Sequence, residues 1–151
     1  MGDNVRSFFS GNHPNQISLQ ACLCNKKIPG KKTKWTTIIK KSRTKANRHH
    51  FFNIKSKSFF THIKLNIFPD GGVARIRVYG SMKIKKKFEK KTLNLTSVLN
   101  GAVPIVCNNE HFGRAENILA PGMGKNMGDG WETRRSRGKN FDWLILKCAT
   151  A

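Results

Sequence analysis

The sequence predicts an all-β protein, and three observations lead to that fold class. Residues 16–23 and residues 62–67 alternate apolar and polar side chains with a period of two, which is typical of half-buried strands. A turn-forming Pro-Asp-Gly-Gly lies at residues 69–72, and apolar alternation resumes over residues 74–79. No segment of any length carries the helical period. We therefore predict a β-sandwich with long functional loops.

The predicted elements follow in chain order. Residues 7–14 favour a strand and then a turn, and residues 16–23 a strand. A basic loop leads to the short apolar Ile38-Ile39, and residues 40–57 are predicted as basic loop with one short strand. Residues 62–67 and 74–79 form two strands around the glycine-rich turn.

In the second of these strands, Ala74, Ile76 and Val78 are predicted to face inward, and Arg75, Arg77 and Tyr79 outward. Residues 93–101 then favour a short helical turn, and residues 103–107 a short strand interrupted by Pro104. Residues 110–126 are predicted as a long loop with few core residues, and residues 142–148 as a buried strand.

The charge of the chain is strongly basic. Its 151 residues, the size of one ordinary domain, carry 29 Lys+Arg against 8 Asp+Glu, a formal net charge of +21. Such an excess usually indicates a nucleic acid or an anionic surface as partner. The lysines, however, fill the stretches between the glycine- and aromatic-rich segments that hold most of the acids. We interpret the excess mainly as solvated surface, with no specific nucleic acid as partner.

Four cysteines and the N-terminus bear on the compartment. Cys22, Cys24, Cys107 and Cys148 form no C-x-x-C pair, and no secretory signal is seen. The sequence therefore predicts reduced thiols in an intracellular protein, cytoplasmic or peroxisomal, that is not secreted. No apolar run approaches membrane-spanning length, so no membrane partner is predicted.

Residues 126–135 form the densest polar constellation in the chain. Asp129 and Glu132 lie three apart beside Trp131, with Arg134 and Arg135 directly behind. Carboxylates can serve as acid–base groups and arginines can bind a substrate carboxylate through two hydrogen bonds. The alternative is a surface turn in which Asp129 or Asp142 caps nearby backbone N–H groups.

The sequence offers two further candidate site types. Glu110 and His111 offer neighbouring metal ligands, but no spacing here resembles a known ligand pattern, so they are weak candidates. The lysine-rich middle with its phenylalanine pairs could bind nucleic acid by stacking, although the same pairs fit the ends of core strands.

Three motifs together resemble the allantoicase family. The stretch from Thr61 to Gly80, with Pro-Asp-Gly-Gly at its centre, is similar to one family hallmark. Residues 126–135 followed by Asp142-Trp143 are similar to a second, and Phe-Ser-Gly-Asn at residues 9–12 with Ile-Ser-Leu-Gln-Ala at 17–21 to a third. The resemblance implies a jelly-roll (galactose-binding-like) β-sandwich and hydrolysis of allantoate to ureidoglycolate and urea in purine breakdown.

The order of the motifs implies the domain organisation. In the family each repeat runs from Gly-Trp-Glu-Thr through Phe-x-Gly-Asn to Pro-Asp-Gly-Gly, whereas here Gly-Trp-Glu-Thr comes last. Residues 1–81 therefore resemble the end of a first repeat, residues 82–92 a lysine-rich linker, and residues 93–151 the start of a second. The chain is predicted to be a fragment whose sandwich is incomplete or circularly permuted.

The resemblance also implies roles. Glu132 and Asp129 are the predicted catalytic residues, and the predicted substrate-binding residues are Arg134, Arg135, Trp131, Asp70 and Arg75. The cofactor stays open, with a divalent metal as candidate, and a homo-oligomer is a candidate assembly. The alternative function is a catalytically inactive sandwich fragment that binds an anionic ligand or partner through its basic face.

Overall fold

The structure is a computed structural model that describes residues 11–81, 92–136 and 140–149. Residues 7–10 of the predicted strand and turn, and nearly all of the predicted linker at 82–92, lie outside these ranges. Within them the strands are β1 (Gln16–Cys22), β2 (Thr36–Arg43), β3 (His62–Phe68), β4 (Gly72–Val73), β5 (Tyr79–Gly80), β6 (Leu93–Asn94), β7 (Val103–Cys107), β8 (Trp131–Glu132) and β9 (Asp142–Lys147). Two 3-10 helices span Val98–Asn100 and Ala115–Leu119.

One antiparallel sheet dominates the molecule, with strand order β2-β1-β3-β9-β7. Its centre is in register, because Leu19 pairs with Leu65 and Leu65 pairs with Leu144. The strands come from both predicted half-repeats: β1 to β3 precede residue 82, and β7 and β9 follow residue 92. The two smaller sheets join the halves in the same way, since β4 pairs with β8 and β5 with β6.

The core lies on one face of the large sheet. Side chains that share this face, such as the paired Leu19, Leu65 and Leu144, are buried there together with Ile118 and Trp131. Each large apolar side chain buried in this way contributes roughly 2 kcal/mol. The opposite face is more polar, and there Asn66 donates to Ser18 Oγ over 3.0 Å. The all-β sandwich class is confirmed.

Several elements are confirmed as predicted. Strands β1, β3, β7 and β9 lie where the alternation or apolar runs placed them, and the helical turn predicted within residues 93–101 is the 3-10 helix Val98–Asn100. In the described residues, no helix is long and apolar enough to cross a membrane.

The second of the two strands predicted around the Pro-Asp-Gly-Gly turn is wrong, because residues 74–78 form no strand. The chain forms β4 at Gly72–Val73, which pairs with β8 and not with β3. Residues 74–78 form no ladder, because their backbone groups bond elsewhere: Ile76 N–H donates to the Ile118 carbonyl and Val78 N–H to Thr96 Oγ1. Ile76 and Val78 still pack against the core, as the alternation predicted.

Two loop predictions need correction. Residues 110–126 contribute to the core, since the 3-10 helix Ala115–Leu119 buries Ala115, Ile118 and Leu119. The strand near Ile38-Ile39 extends through Arg43, and residues 44–57 contain no strand. An edge strand tolerates solvent-facing lysines, which is why a polar, basic segment can continue β2.

Candidate active site

The backbone of Glu132 is held from both sides by glycine-bearing segments. Gly72 of β4 pairs with Glu132 of β8 on one side, and Gly113 bridges to Glu132 on the other. A Cβ at Gly113 would lie 2.2 Å from the Gly130 carbonyl oxygen, so only glycine permits this approach. The sequence thus places Glu132 at the centre of three adjoining chain segments.

The Glu132 carboxylate is buried and points to the first half of the chain. Glu132 is only 5% exposed, and its Oε1 accepts a hydrogen bond from Asn12 Nδ2. Asn12 is 120 residues away in sequence. A buried carboxylate needs hydrogen-bond donors to replace the water it has lost, and Asn12 is the side-chain donor that the described residues supply.

Gly71 allows the segment of Asn12 to come this close. Its φ is +133°, and a Cβ there would lie 2.7 Å from Pro14 N and 2.9 Å from the Asn12 carbonyl oxygen. The neighbouring Gly72 N–H donates to that carbonyl over 2.6 Å. The Pro-Asp-Gly-Gly turn therefore carries Asn12 to Glu132.

Asp70 flanks the same glycines. It is 8% exposed, and its Oδ2 accepts a hydrogen bond from the Ser136 backbone N–H. Fully buried Thr133 adds a further link, since Gly71 N–H donates to Thr133 Oγ1 over 3.1 Å. Two predicted site residues from different halves, Asp70 and Glu132, are thus brought to one junction.

Asp129 and Arg75 are engaged with each other. Arg75 Nη2 lies 3.0 Å from Asp129 Oδ2, and the Arg75 side chain is only 7% exposed. The same Oδ2 accepts from the Lys125 backbone N–H over 2.9 Å. That hydrogen bond, and then the Arg75 guanidinium, lower the pKa of Asp129 against the opposing effect of burial.

These contacts give Asp129 the turn-capping role that was the alternative in its sequence interpretation. Arg75, predicted to face outward, instead reaches a loop 54 residues away. The catalytic role of Asp129 and the substrate-binding role of Arg75 stay predictions, and within the described residues neither side chain forms a hydrogen bond or ion pair with Glu132.

Trp131 belongs to the core. Its side chain is fully buried, and its indole Nε1–H donates to the Asn109 carbonyl over 3.0 Å. A ring in this position supports the backbone of Glu132 next to it. The predicted contact of Trp131 with substrate stays a prediction.

Arg134 and Arg135 are both exposed and directly follow the buried Glu132 and Thr133. Within residues 11–81, 92–136 and 140–149, neither guanidinium forms an ion pair. The backbone of Arg134 is fixed by Asn109, whose side chain donates to the Arg134 carbonyl and accepts from its N–H, each over 3.3 Å. The pair can therefore reach an anionic ligand from an anchored backbone.

The two weak metal candidates are otherwise occupied or exposed. Glu110 Oε2 accepts the Ala115 backbone N–H over 2.6 Å, and the exposed His111 ring lies edge-on to Phe112 at 4.3 Å between centroids. In the part of the chain that the structure describes, no group of three or more His, Cys, Asp or Glu side chains could hold a metal ion.

The structure adds two residues to the predicted set. Asn12 was visible only as part of a turn-like motif, and nothing in one sequence connects it to a residue 120 positions away. The sequence assigned no role to Asn109, next to the weak metal candidates, yet it bonds to Asp142, Arg134 and Trp131. Its proximity to Asp142 could not be seen without the β7–β9 pairing.

Comparisons with known proteins agree with these motifs. The family model described as Allantoicase repeat matches residues 5–83 and 93–151. The chain is 45% identical to the "Probable allantoicase" of Acinetobacter baumannii strain SDF over 93% of its own length and 41% of that protein. It is also 45% identical to the "Probable allantoicase" of Pseudomonas syringae pv. tomato, over 93% of this chain and 43% of the relative.

A solved structure of allantoicase from Saccharomyces cerevisiae is 36% identical, covers 95% of this chain and 46% of its own, and superposes with a TM-score of 0.48. The chain thus spans about two fifths of the length of the curated relatives it matches. The repeat-family match on both sides of residues 84–92 shows that the chain belongs to the allantoicase repeat family.

Proposed function

We propose that this chain is an allantoicase-like hydrolase that acts on allantoate around Glu132. The single observation that carries the proposal is the buried Glu132 carboxylate, hydrogen-bonded to Asn12 and followed by two exposed arginines that form no ion pair among the described residues. The family membership supports the substrate class, because both relatives are described as probable allantoicases.

We further propose that the two half-repeats together form one permuted repeat. Support comes from the way the halves join: β3 pairs with β9, β4 pairs with β8, and Asn12 bonds to Glu132. The Gly-Trp-Glu-Thr segment that starts a repeat in the family then lies beside the Pro-Asp-Gly-Gly segment that ends one. A chain of about two fifths of the relatives' length could in this way supply one site.

The residues suit the chemistry. Allantoate carries a carboxylate and two ureido groups on one carbon, and its hydrolysis breaks one carbon–nitrogen bond at that carbon. The oxygen of water becomes a hydroxyl on the carbon, and the ureido nitrogen leaves with a proton as urea. Arg134 or Arg135 would bind the substrate carboxylate, and Glu132 would accept the proton from water and deliver one to the leaving nitrogen.

Urea release from allantoate, with and without added divalent metal ions, tests the proposal. Glu132→Gln keeps an oxygen that can accept from Asn12 but removes the acid–base group. We expect it to lower turnover on the order of a hundredfold or more and to leave the fold intact by circular dichroism. The matched control is Glu116→Gln, because Glu116 is exposed and forms an ion pair with the likewise exposed Arg114.

Two results would contradict the proposal. Retained turnover in Glu132→Gln would refute the role of Glu132. If the folded wild-type chain released no urea with or without metal, the catalytic function itself would be refuted.

A further inference from the structure

The charge of the chain is distributed unevenly along its sequence. Residues 11–69 contain thirteen Lys or Arg and no Asp or Glu, whereas the described residues 92–136 and 140–149 contain five of each kind. In the large sheet, β2 forms one edge and β7 the other. The positive charge therefore lies in β2 and in the two loops that flank it in sequence, and the half that carries Glu132 is balanced.

The basic residues of this part of the chain are exposed to solvent, and Lys41 also lies over the Phe68 ring at 4.0 Å. All twelve Lys and Arg residues from Lys26 to Lys57 are exposed, and we call them the basic edge. Within the described residues none of the twelve forms an ion pair, because the ion pairs there are Arg75–Asp129 and Arg114–Glu116. An unpaired field of one sign attracts polyanions and holds a counterion atmosphere that binding releases.

Exposed aromatic rings lie among these charges. Phe51 is 92% exposed and Phe52 36%, and the Phe51 ring lies beside His49 with centroids 6.2 Å apart. The preceding turn is closed by a hydrogen bond from the Lys45 N–H to His50 Nε2 over 3.0 Å. Lys45 and Arg48 are thus held on the turn that leads into Phe51.

We propose that the basic edge binds single-stranded nucleic acid, independently of base sequence. Lysines and arginines would contact phosphates, and Phe51 would stack on a base, which is the combination that single-strand binding proteins use. A duplex offers phosphates but hides its base faces, so it would gain nothing from Phe51. An anionic lipid surface would attract the same lysines but offers Phe51 no base to stack on. This inference does not rest on the proposed hydrolysis.

Fluorescence anisotropy with a labelled oligouridylate of about 20 nucleotides tests the stacking. We expect Phe51→Ala to weaken its binding about tenfold and to leave binding of a duplex of the same length unchanged. The matched control is Phe112→Ala, since Phe112 is 63% exposed and also lies beside a histidine ring, but in the balanced half. It should leave affinity for the oligouridylate unchanged.

The salt dependence tests the charges. Replacing Lys45 and Arg48 together by Gln should reduce the slope of log K against log salt by about 1.4, at roughly 0.7 per phosphate contact on a single strand. Replacing Arg114 and Lys125 together by Gln, in the balanced half, should leave the slope unchanged.

Three outcomes would overturn the proposal. One is that Phe51→Ala and Phe112→Ala weaken binding of the oligouridylate equally, or that neither weakens it. Another is duplex or phosphatidylserine vesicles bound as tightly as the single strand. The third is an equal change in the slope of log K against log salt in the two charge variants. That result would mean that the net charge alone attracts the oligouridylate and that the lysines serve only to solvate the β2 edge.

Discussion

At the scale of single residues, partners chosen from distant parts of the chain decide what each charged side chain can do. Glu132 and Asp129 are three apart, yet Glu132 is buried against Asn12 while Asp129 caps a loop and pairs with Arg75. The sequence alone treats both as candidate acid–base groups. The structure separates them, because only Glu132 combines burial with a position at the junction of the halves.

Asn12→Ala tests the hydrogen bond that crosses this junction. Removing the amide leaves a buried carboxylate without its donor, and we expect the free energy of unfolding to fall by about 1–2 kcal/mol. Denaturant unfolding measures this change. The control is Asn15→Ala, because Asn15 is exposed and the bonds recorded for it are backbone bonds. Equal effects of the two variants would contradict a specific role for Asn12.

Asp129→Asn tests the ion pair through pH. The Lys125 N–H and the Arg75 guanidinium lower the pKa of Asp129 from its ordinary value of 3.8, so the unfolded chain takes up the proton first as the pH falls. The stabilisation by the ion pair is complete above the pKa that Asp129 has in the unfolded chain. It is lost as the pH falls through the lower pKa that Asp129 has in the folded chain. Thermal melts should therefore give a higher Tm for the wild type than for Asp129→Asn at neutral pH. That difference should shrink below pH 3.8, and a constant difference would argue against the ion pair.

At the scale of elements, local pattern predicts strands well and their partners poorly. Strands β1, β3 and β9 were predictable because alternation or a continuous apolar run is a property of the segment itself. The irregular course of residues 74–78 was not, because the backbone groups of Ile76 and Val78 bond to Ile118 and Thr96, which lie far along the chain. The 3-10 helix Ala115–Leu119 was missed because five residues are too few to display a period.

Gly71→Ala tests the element that carries Asn12 to Glu132. The φ of +133° and the 2.7 Å approach to Pro14 N leave no room for a Cβ, so we expect a loss of about 2 kcal/mol or more in unfolding free energy. Gly30→Ala is the control, since a Cβ there would meet nothing within 4 Å. If both variants melt like wild type, the close approach of the segment at Asn12 is not part of the native structure.

At the scale of the whole molecule, the central claim is that the two half-repeats form one cooperative structure around Glu132. The motif order predicted two halves, but it could not show whether they pair. The five-stranded sheet contains three strands from the first half and two from the second, and its core includes Leu19 from one and Trp131 from the other. A protein built in this way should unfold as a unit.

The most direct measurement destabilises the first half and observes the second. In a Trp35→Phe background the remaining tryptophans are Trp131 and Trp143, so fluorescence reports the second half alone. Leu19→Ala in β1, a residue 3% exposed, should cost about 3 kcal/mol. We expect Leu19→Ala to lower the urea midpoint of the Trp131 and Trp143 fluorescence. That midpoint should coincide with the midpoint measured by circular dichroism. An unchanged fluorescence midpoint, with the two transitions separated, would contradict a single structure formed by both halves.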